Sequence, residues 1–378
     1  MRIFEIYIAV LLLFVAGVVS LFFWTHRQEK RWADFMAHWE AQGESFEISA
    51  HQPEAIDDSQ NFAKHPSVEA VRNEDAQVME RLHRMKSKSL PDLHAFNMSE
   101  KLEFMPEPLA RQVIDYDKQF AADFDALAEA AARPGCRAEP NYASSFSIPK
   151  EWLISILYYN NALSANAAAA IALGDEDTFT NQTVLLLDVG RHLRSNNTMV
   201  SCLIGVRFER TAYTMIRDLA PLGVKKEPNR ARLLEALNRR KRPPREEVAK
   251  VLRYERAQAL KVIDNIESSV PTSPDHGSQP RWNFGRILFA ASRIALCEDS
   301  QRMLSSPDGR LKQEITLDDL RRYDEVTQKR WKSSKSPARY LESLGRMQSC
   351  NHLEKTWKHE QDRQSARDAL CPGISQTE

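Results

Sequence analysis

Residues 162–193 read ALSANAAAAIALGDEDTFTNQTVLLLDVGRHL, and this stretch decides the fold. Alanines carry the first half with no β-branched alternation, which favours helix over strand. Gly174 then supplies a residue free to take the left-handed conformation that closes a helix. Asp175 follows as an N-cap for a second helix, with Glu176 and Asp177 in its first turn, where carboxylates complement the helix dipole. The reading is helix, tight turn, helix. The small residues from Ala162 to Ala172 let a neighbouring helix approach closely.

The same pattern extends on both sides. Downstream, NTMVSCLIGVRFERTAYTMIRDL (197–219) follows Asn196-Asn197 and stops before Pro221. A short helix at 230–237 and a longer one opened by Pro244 come next. Upstream, a helix starts near Pro149 and runs into the hairpin. Before it, PLARQVIDYDKQFAADFDALAEAAAR (108–133) reads as one helix ending at Pro134-Gly135, with Val113, Tyr116, Phe120, Phe124 and Leu127 on one face. Another helix is expected from Ser67 as N-cap, carrying Val68, Val71, Val78, Met79 and Leu82. Polar helices at roughly 316–331 and 338–366 close the chain. With only 12 glycines in 378 residues and no alternating Val/Ile/Thr runs, the expected fold class is all-α.

The N-terminal segment is of another kind. Residues 6–24, IYIAVLLLFVAGVVSLFFW, carry no charge and as a helix cover about 28 Å, close to the hydrocarbon thickness of a bilayer. A secretory signal would end in a small-x-small cleavage site, whereas this run ends in Leu21, Phe22, Phe23 and Trp24. Tyr7 and Trp24 stand near its ends, where amphipathic rings favour the headgroup layer. We read a retained single-pass anchor whose partner is the lipid bilayer, through residues 3–24. The helix is expected to continue through Trp32, Phe35, Met36 and Trp39 to Gly43. Arg2 and the α-amino group precede the run, and Arg27, Lys30 and Arg31 follow it. Counted literally they lean towards a cytoplasmic C-terminal part, by a margin of about one charge that leaves orientation open.

The implied organisation is an anchor (1–26), a membrane-proximal helix and polar stalk (27–107), a helical core domain (108–269), a linker (270–280) and C-terminal helices packed on the core (281–378). Within the stalk, residues 44–66 are polar and Pro-marked, either a stalk proper or a loop lying on the domain. Lys+Arg and Asp+Glu both number 52, so no net charge advertises a polyanionic partner.

Candidate chemistry is sparse. Cys202 and Cys297 fall in apolar helical patterns, while Cys136, Cys350 and Cys371 lie in or near breaks and form the candidate set for one disulfide in an oxidising compartment. Asp175, Glu176 and Asp177 offer oxygen ligands for a hard cation, but the run fits a cap-and-dipole role fully. Cys350, His352 and His359 have zinc-ligand chemistry but awkward spacing and no fourth ligand. Residues 225–261 carry an excess of about eight positive charges, including Arg239, Arg240, Lys241, Arg242 and Arg245. These are read as solvated helix faces over a leucine-lined core, with nucleic acid or anionic lipid as the competing partner. Arg253, Glu255 and Arg256 are read as an internal ion-pair network. No G-x-S-x-G, H-E-x-x-H or phosphate-loop motif is present, so no enzyme activity, metal or cofactor is expected.

The serial order of several short motifs carries a resemblance. They are WEAQGE (39–44), DDSQNFA (57–63) with Pro66, AAARPG (130–135), AAIALGDED (169–177), LDVGRHL (187–193), NTMVSCLI (197–204) and LRYER (252–256). Over residues 1–300 the chain resembles a class of N-terminally anchored, all-helical bacterial envelope proteins to which no activity is attached. The resemblance implies a tethered helical domain outside the cytoplasm and carries no activity with it; beside the bilayer, other envelope proteins are the expected partners and nucleic acid is not. The expected function is an exported interaction or scaffold domain; the alternative is a cytoplasm-facing tether whose 225–261 segment holds nucleic acid or anionic lipid.

Overall fold

The structure is a computed structural model and describes residues 2–86, 104–138, 151–196, 198–239, 244–269 and 361–370, with the single positions 293, 297, 301 and 304. Among the described residues the fold is all-α, joined by short 3-10 turns; an isolated bridge between Asn61 and Gly135 stands outside any strand. The chain divides into two compact units, Met1–His51 with Leu252–Met347, and Gln52–Val251 with Gln348–Glu378.

In the first unit α1 runs from Arg2 to Glu40, about 58 Å of unbroken helix. It is the one helix among the described residues long and apolar enough to cross a membrane. Leu11, Leu12, Leu13, Phe14, Phe22 and Phe23 project from it exposed, an arrangement that water penalises and lipid does not. Past Trp24 the helix acquires a protein-facing side. Trp32 and Phe35 stack at 5.8 Å, Phe46 packs against both, and Trp39 is buried with Leu260 and Cys297. Gly43, at φ +85°, ends the helix. Its N–H donates to Glu40 O and that of Glu44 to Trp39 O, the paired closure that a left-handed residue permits.

The second unit is built on α6 (Glu151–Ala172), α7 (Glu176–Arg194) and α8 (Met199–Asp218). Ala162, Ala165 and Ala167–Ala170 are buried on every side of α6, so this is a central helix rather than an amphipathic surface one. Around it stand α2 (Pro66–Arg72), α3 (Ala76–Lys86), α4 (Glu107–Asp117), α5 (Ala121–Ala131) and α10 (Glu227–Asn238), after the single turn α9 (Ala220–Gly223). Residues 361–370 form a helix that buries Ala366 and Leu370 in the same core. The remaining helix, α11 (Pro244–Ser269), gives its first turns to this unit and its later ones to the other.

The expected hairpin is present in detail. Gly174 sits at φ +80°, and the N–H of Asp175 donates to Ala170 O. The Asp175 carboxylate then accepts from Thr178 N at 3.0 Å and opens α7. A second turn of this kind joins α2 to α3, with Glu74 at φ +54° and Asp75 accepting from the amides of Gln77 and Val78. There the left-handed position is held by a residue that has a Cβ.

Three local expectations change. The single helix expected from Ser67 through Leu82 is two, α2 and α3, parted by the turn at Glu74 and Asp75. The helix expected over 108–133 is interrupted by a 3-10 turn at Lys118–Phe120. Asp117, buried just before it, accepts from Asn166 Nδ2 of α6 at 3.3 Å, while Tyr116 and Phe120 meet edge to face. Ser67 is not the cap of α2. His65 is, its Nδ1 accepting from Ser67 N, because Pro66 has no N–H and its fixed φ suits the first helical position.

Residues 52–64 do not stand away from the second unit. Asn61 Nδ2 donates to Arg137 O at 2.9 Å, and its Oδ1 accepts from the amides of Ala63 and Arg137. Phe62, fully buried, stacks on His192 at 4.8 Å with an interplanar angle of 6°.

Candidate functional site

Among the described residues of the first unit, a dense charge arrangement begins where α1 ends. The turn at Gly43 directs Glu44 inwards, where it is buried. Its Oε1 accepts from Arg256 Nη2 at 2.6 Å and from Arg253 Nε at 3.1 Å, and its Oε2 from Arg253 Nε at 3.1 Å. Arg256, itself buried, also donates to Ser45 O and to Gln301 Oε1, and its guanidinium lies 4.2 Å from the centroid of the Phe46 ring. Arg253 and Arg256 sit three residues apart on α11, so one helical turn presents both to the same carboxylate. His51 closes the loop, its Nε2 within 2.8 Å of Ser45 O; burial, and next the neighbouring Arg256, keep its pKa below the usual histidine range. A cleft of about 620 Å³ opens here, lined by Gln42, Gly43, Glu44, Ser45, His51 and Arg253. The arrangement clamps the chain where the apolar helix enters folded protein. It aligns no nucleophile with a base.

A second buried network lies in the other unit. Gly190 of α7 faces Gly205 of α8 so closely that a Cβ on Gly205 would lie 2.5 Å from Gly190 O. That contact brings Arg194, almost fully buried, beside Glu209, to which Nη1 donates at 2.5 Å. Arg194 Nη2 also donates to Glu247 on the first turns of α11. One guanidinium thereby joins three helices.

The residues singled out from sequence fall as follows. Asp175 is the cap described above. Glu176 accepts from the backbone amides of Lys225 and Lys226, and the Lys226 amide above all holds its carboxyl below the usual range. Asp177 accepts from Lys226 Nζ and Asn229 Nδ2, which lower its pKa likewise. These three carboxylates are thus tied to protein donors, and among the described residues no group of His, Cys, Asp and Glu could hold a metal ion. Arg239 reaches Asp188 at 3.3 Å and Glu235 at 3.1 Å. Arg232 donates to Asn181, so several cations of 225–261 are engaged within the fold. Arg240, Lys241 and Arg242 lie outside the described residues, as does the Arg245 side chain. Cys136 is a buried free thiol that burial pushes up to about 12. Cys350, Cys371, His352 and His359 lie outside the described residues.

Sequence reading anticipated a network at Arg253 and Arg256 but missed its centre, Glu44, and missed Arg194, Glu209 and Glu247. Two arginines at helical spacing on an otherwise apolar face are a usable signal. Their acceptor is 209 and 212 positions away, and no local pattern marks it.

No protein-family model matches the chain, and no curated protein or solved structure is detectably similar to it.

Proposed function

We propose that the protein is a single-pass membrane protein whose helical soluble part is exported and binds or scaffolds other envelope components. The observation that carries this reading is the continuity of α1. Exposed apolar turns over residues 7–24 pass without a break into the aromatic seat of Trp32, Phe35, Trp39 and Phe46, and Glu44 then locks the helix end to Arg253 and Arg256. An anchor joined in this way delivers a folded domain at a set distance from the bilayer, which suits a tethered binding surface. The buried charges serve packing, and the described residues align no reaction centre, which favours interaction over catalysis. Export rests on the serial order of short motifs that resembles anchored envelope proteins, since the flanking charges balance too closely to choose a side.

Protease accessibility tests the orientation. With an epitope at the C-terminus, digestion after outer-membrane permeabilisation is expected, with the inner membrane intact. Protection until the inner membrane is lysed would instead place the domain in the cytoplasm, as the tether alternative requires.

A further inference from the structure

Beyond Trp24, α1 has two unlike sides. Thr25, Trp32, Phe35 and Met36 are half-buried, and Gln28 and Trp39 are buried, forming a protein-facing stripe at spacings of three and four. His26, Arg27, Lys30, Arg31 and Asp34 are exposed. At about 100° per residue, Arg27 and Lys30 point more than about 100° away from the stripe. Arg31 lies nearer to it and reaches Gln28 Oε1 at 3.5 Å.

Depth along the helix separates the charges. Arg27 stands about 4.5 Å and Lys30 about 9 Å beyond Trp24, within reach of a headgroup layer some 5–8 Å thick once their side chains snorkel back. Asp34 shares their side but sits about 15 Å out, past that layer. Glu29, also exposed and about 7.5 Å beyond Trp24, falls on the flank next to the protein-facing stripe, across from Arg31, so the two flank charges offset one another. The open edge at headgroup depth is therefore cationic, although the chain as a whole is neutral.

We propose that this edge, carried by Arg27 and Lys30, binds the phosphates of anionic phospholipid headgroups and thereby fixes the rotation of α1 at the membrane surface. The inference rests on residues 7–24 spanning the bilayer. With the opposite side of the helix covered by protein, this edge is open to lipid. Guanidinium and ammonium groups beside phosphodiesters form charge-assisted hydrogen bonds, and each adds to the attraction of an anionic surface.

The test uses the full-length chain reconstituted in vesicles of phosphatidylcholine and phosphatidylglycerol in equal amounts. Lipid retained after mild detergent extraction is compared for the wild type, R27Q/K30Q, and R111Q/K118Q. The last pair removes two exposed cations, Arg111 of α4 and Lys118 of the 3-10 turn after it, and so controls for net charge. Wild type and R111Q/K118Q should retain phosphatidylglycerol in excess, with R27Q/K30Q losing roughly tenfold of that preference and high salt erasing it. Equal retention by all three, or an equal loss in both variants, overturns the proposal. A chain that floats free of the vesicles overturns the anchor reading as well; one that stays with them but takes no excess of phosphatidylglycerol overturns this inference alone.

Discussion

Arg256 donates to Glu44 at 2.6 Å across 212 positions of sequence, and both side chains are essentially inaccessible to solvent. A buried pair of this kind stabilises little over an apolar pair of equal shape, yet breaking it leaves one charge desolvated and unpaired. Glu44→Ala, which strips the buried Arg256 of its carboxylate, is expected to lower unfolding stability by about 3–5 kcal/mol, and Arg256→Met, which leaves Glu44 paired with Arg253, by less. The double variant should recover a large part of the loss. Thermal denaturation in detergent of the three variants, read as a double-mutant cycle, checks this; additive losses would show that the pair is not coupled.

The crossing of α7 and α8 admits no side chain at its centre. A Cβ at Gly190 would lie 2.8 Å from Gly205 O, and one at Gly205 2.6 Å from Arg194 Cγ. Backbone cannot yield as a flexible side chain can, so Gly190→Ala or Gly205→Ala should cost about 3 kcal/mol. Gly17→Ala, where nothing lies within 4 Å, should leave denaturation midpoints unchanged.

Two turns of like geometry differ in the residue at the left-handed position. Gly174 takes positive φ without strain, while Glu74 at φ +54° holds a Cβ in a region that disfavours it. Glu74→Gly is expected to stabilise the second unit by about 0.5–1 kcal/mol, and Gly174→Ala to destabilise it by about 1 kcal/mol. Urea midpoints of the pair should move in opposite directions.

That comparison also shows what the amino-acid order reveals. The hairpin at 174–175 is legible because glycine advertises a left-handed residue and Asp175 a cap. The turn at 74–75 performs the same task with a residue that advertises nothing. The 3-10 turn at Lys118–Phe120 is hidden for a related reason. Buried Val113, Asp117, Phe120, Phe124 and Leu127 keep helical spacing straight through it, so periodicity carries no trace of the break. The anchor and the all-α class are plain from local pattern. The buried charge networks are not, because Glu44 and Arg194 meet partners that only tertiary packing supplies.

His192 gives the second unit an acid-sensitive point. It is buried against Phe62, donates from Nε2 to Ala131 O at 2.9 Å, and burial lowers its pKa to about 4. The unfolded chain, titrating near the usual histidine value of 6.5, binds this proton more readily than the folded one, so stability rises with pH between these values. The contribution is complete above pH 6.5, and about 3 kcal/mol is lost as pH falls towards 4. His192→Gln removes the titration, so its stability should fall less than that of the wild type over this window in pH-dependent denaturant unfolding.

The central claim is that the apolar part of α1 stays attached and lies across lipid while its continuation seats the first unit. Alkaline extraction of membranes, followed by N-terminal sequencing of the membrane-bound chain, tests both halves together. The account predicts that the chain resists extraction and begins upstream of Tyr7. Recovery in the alkaline supernatant, or a mature N-terminus beyond Trp24, would contradict it.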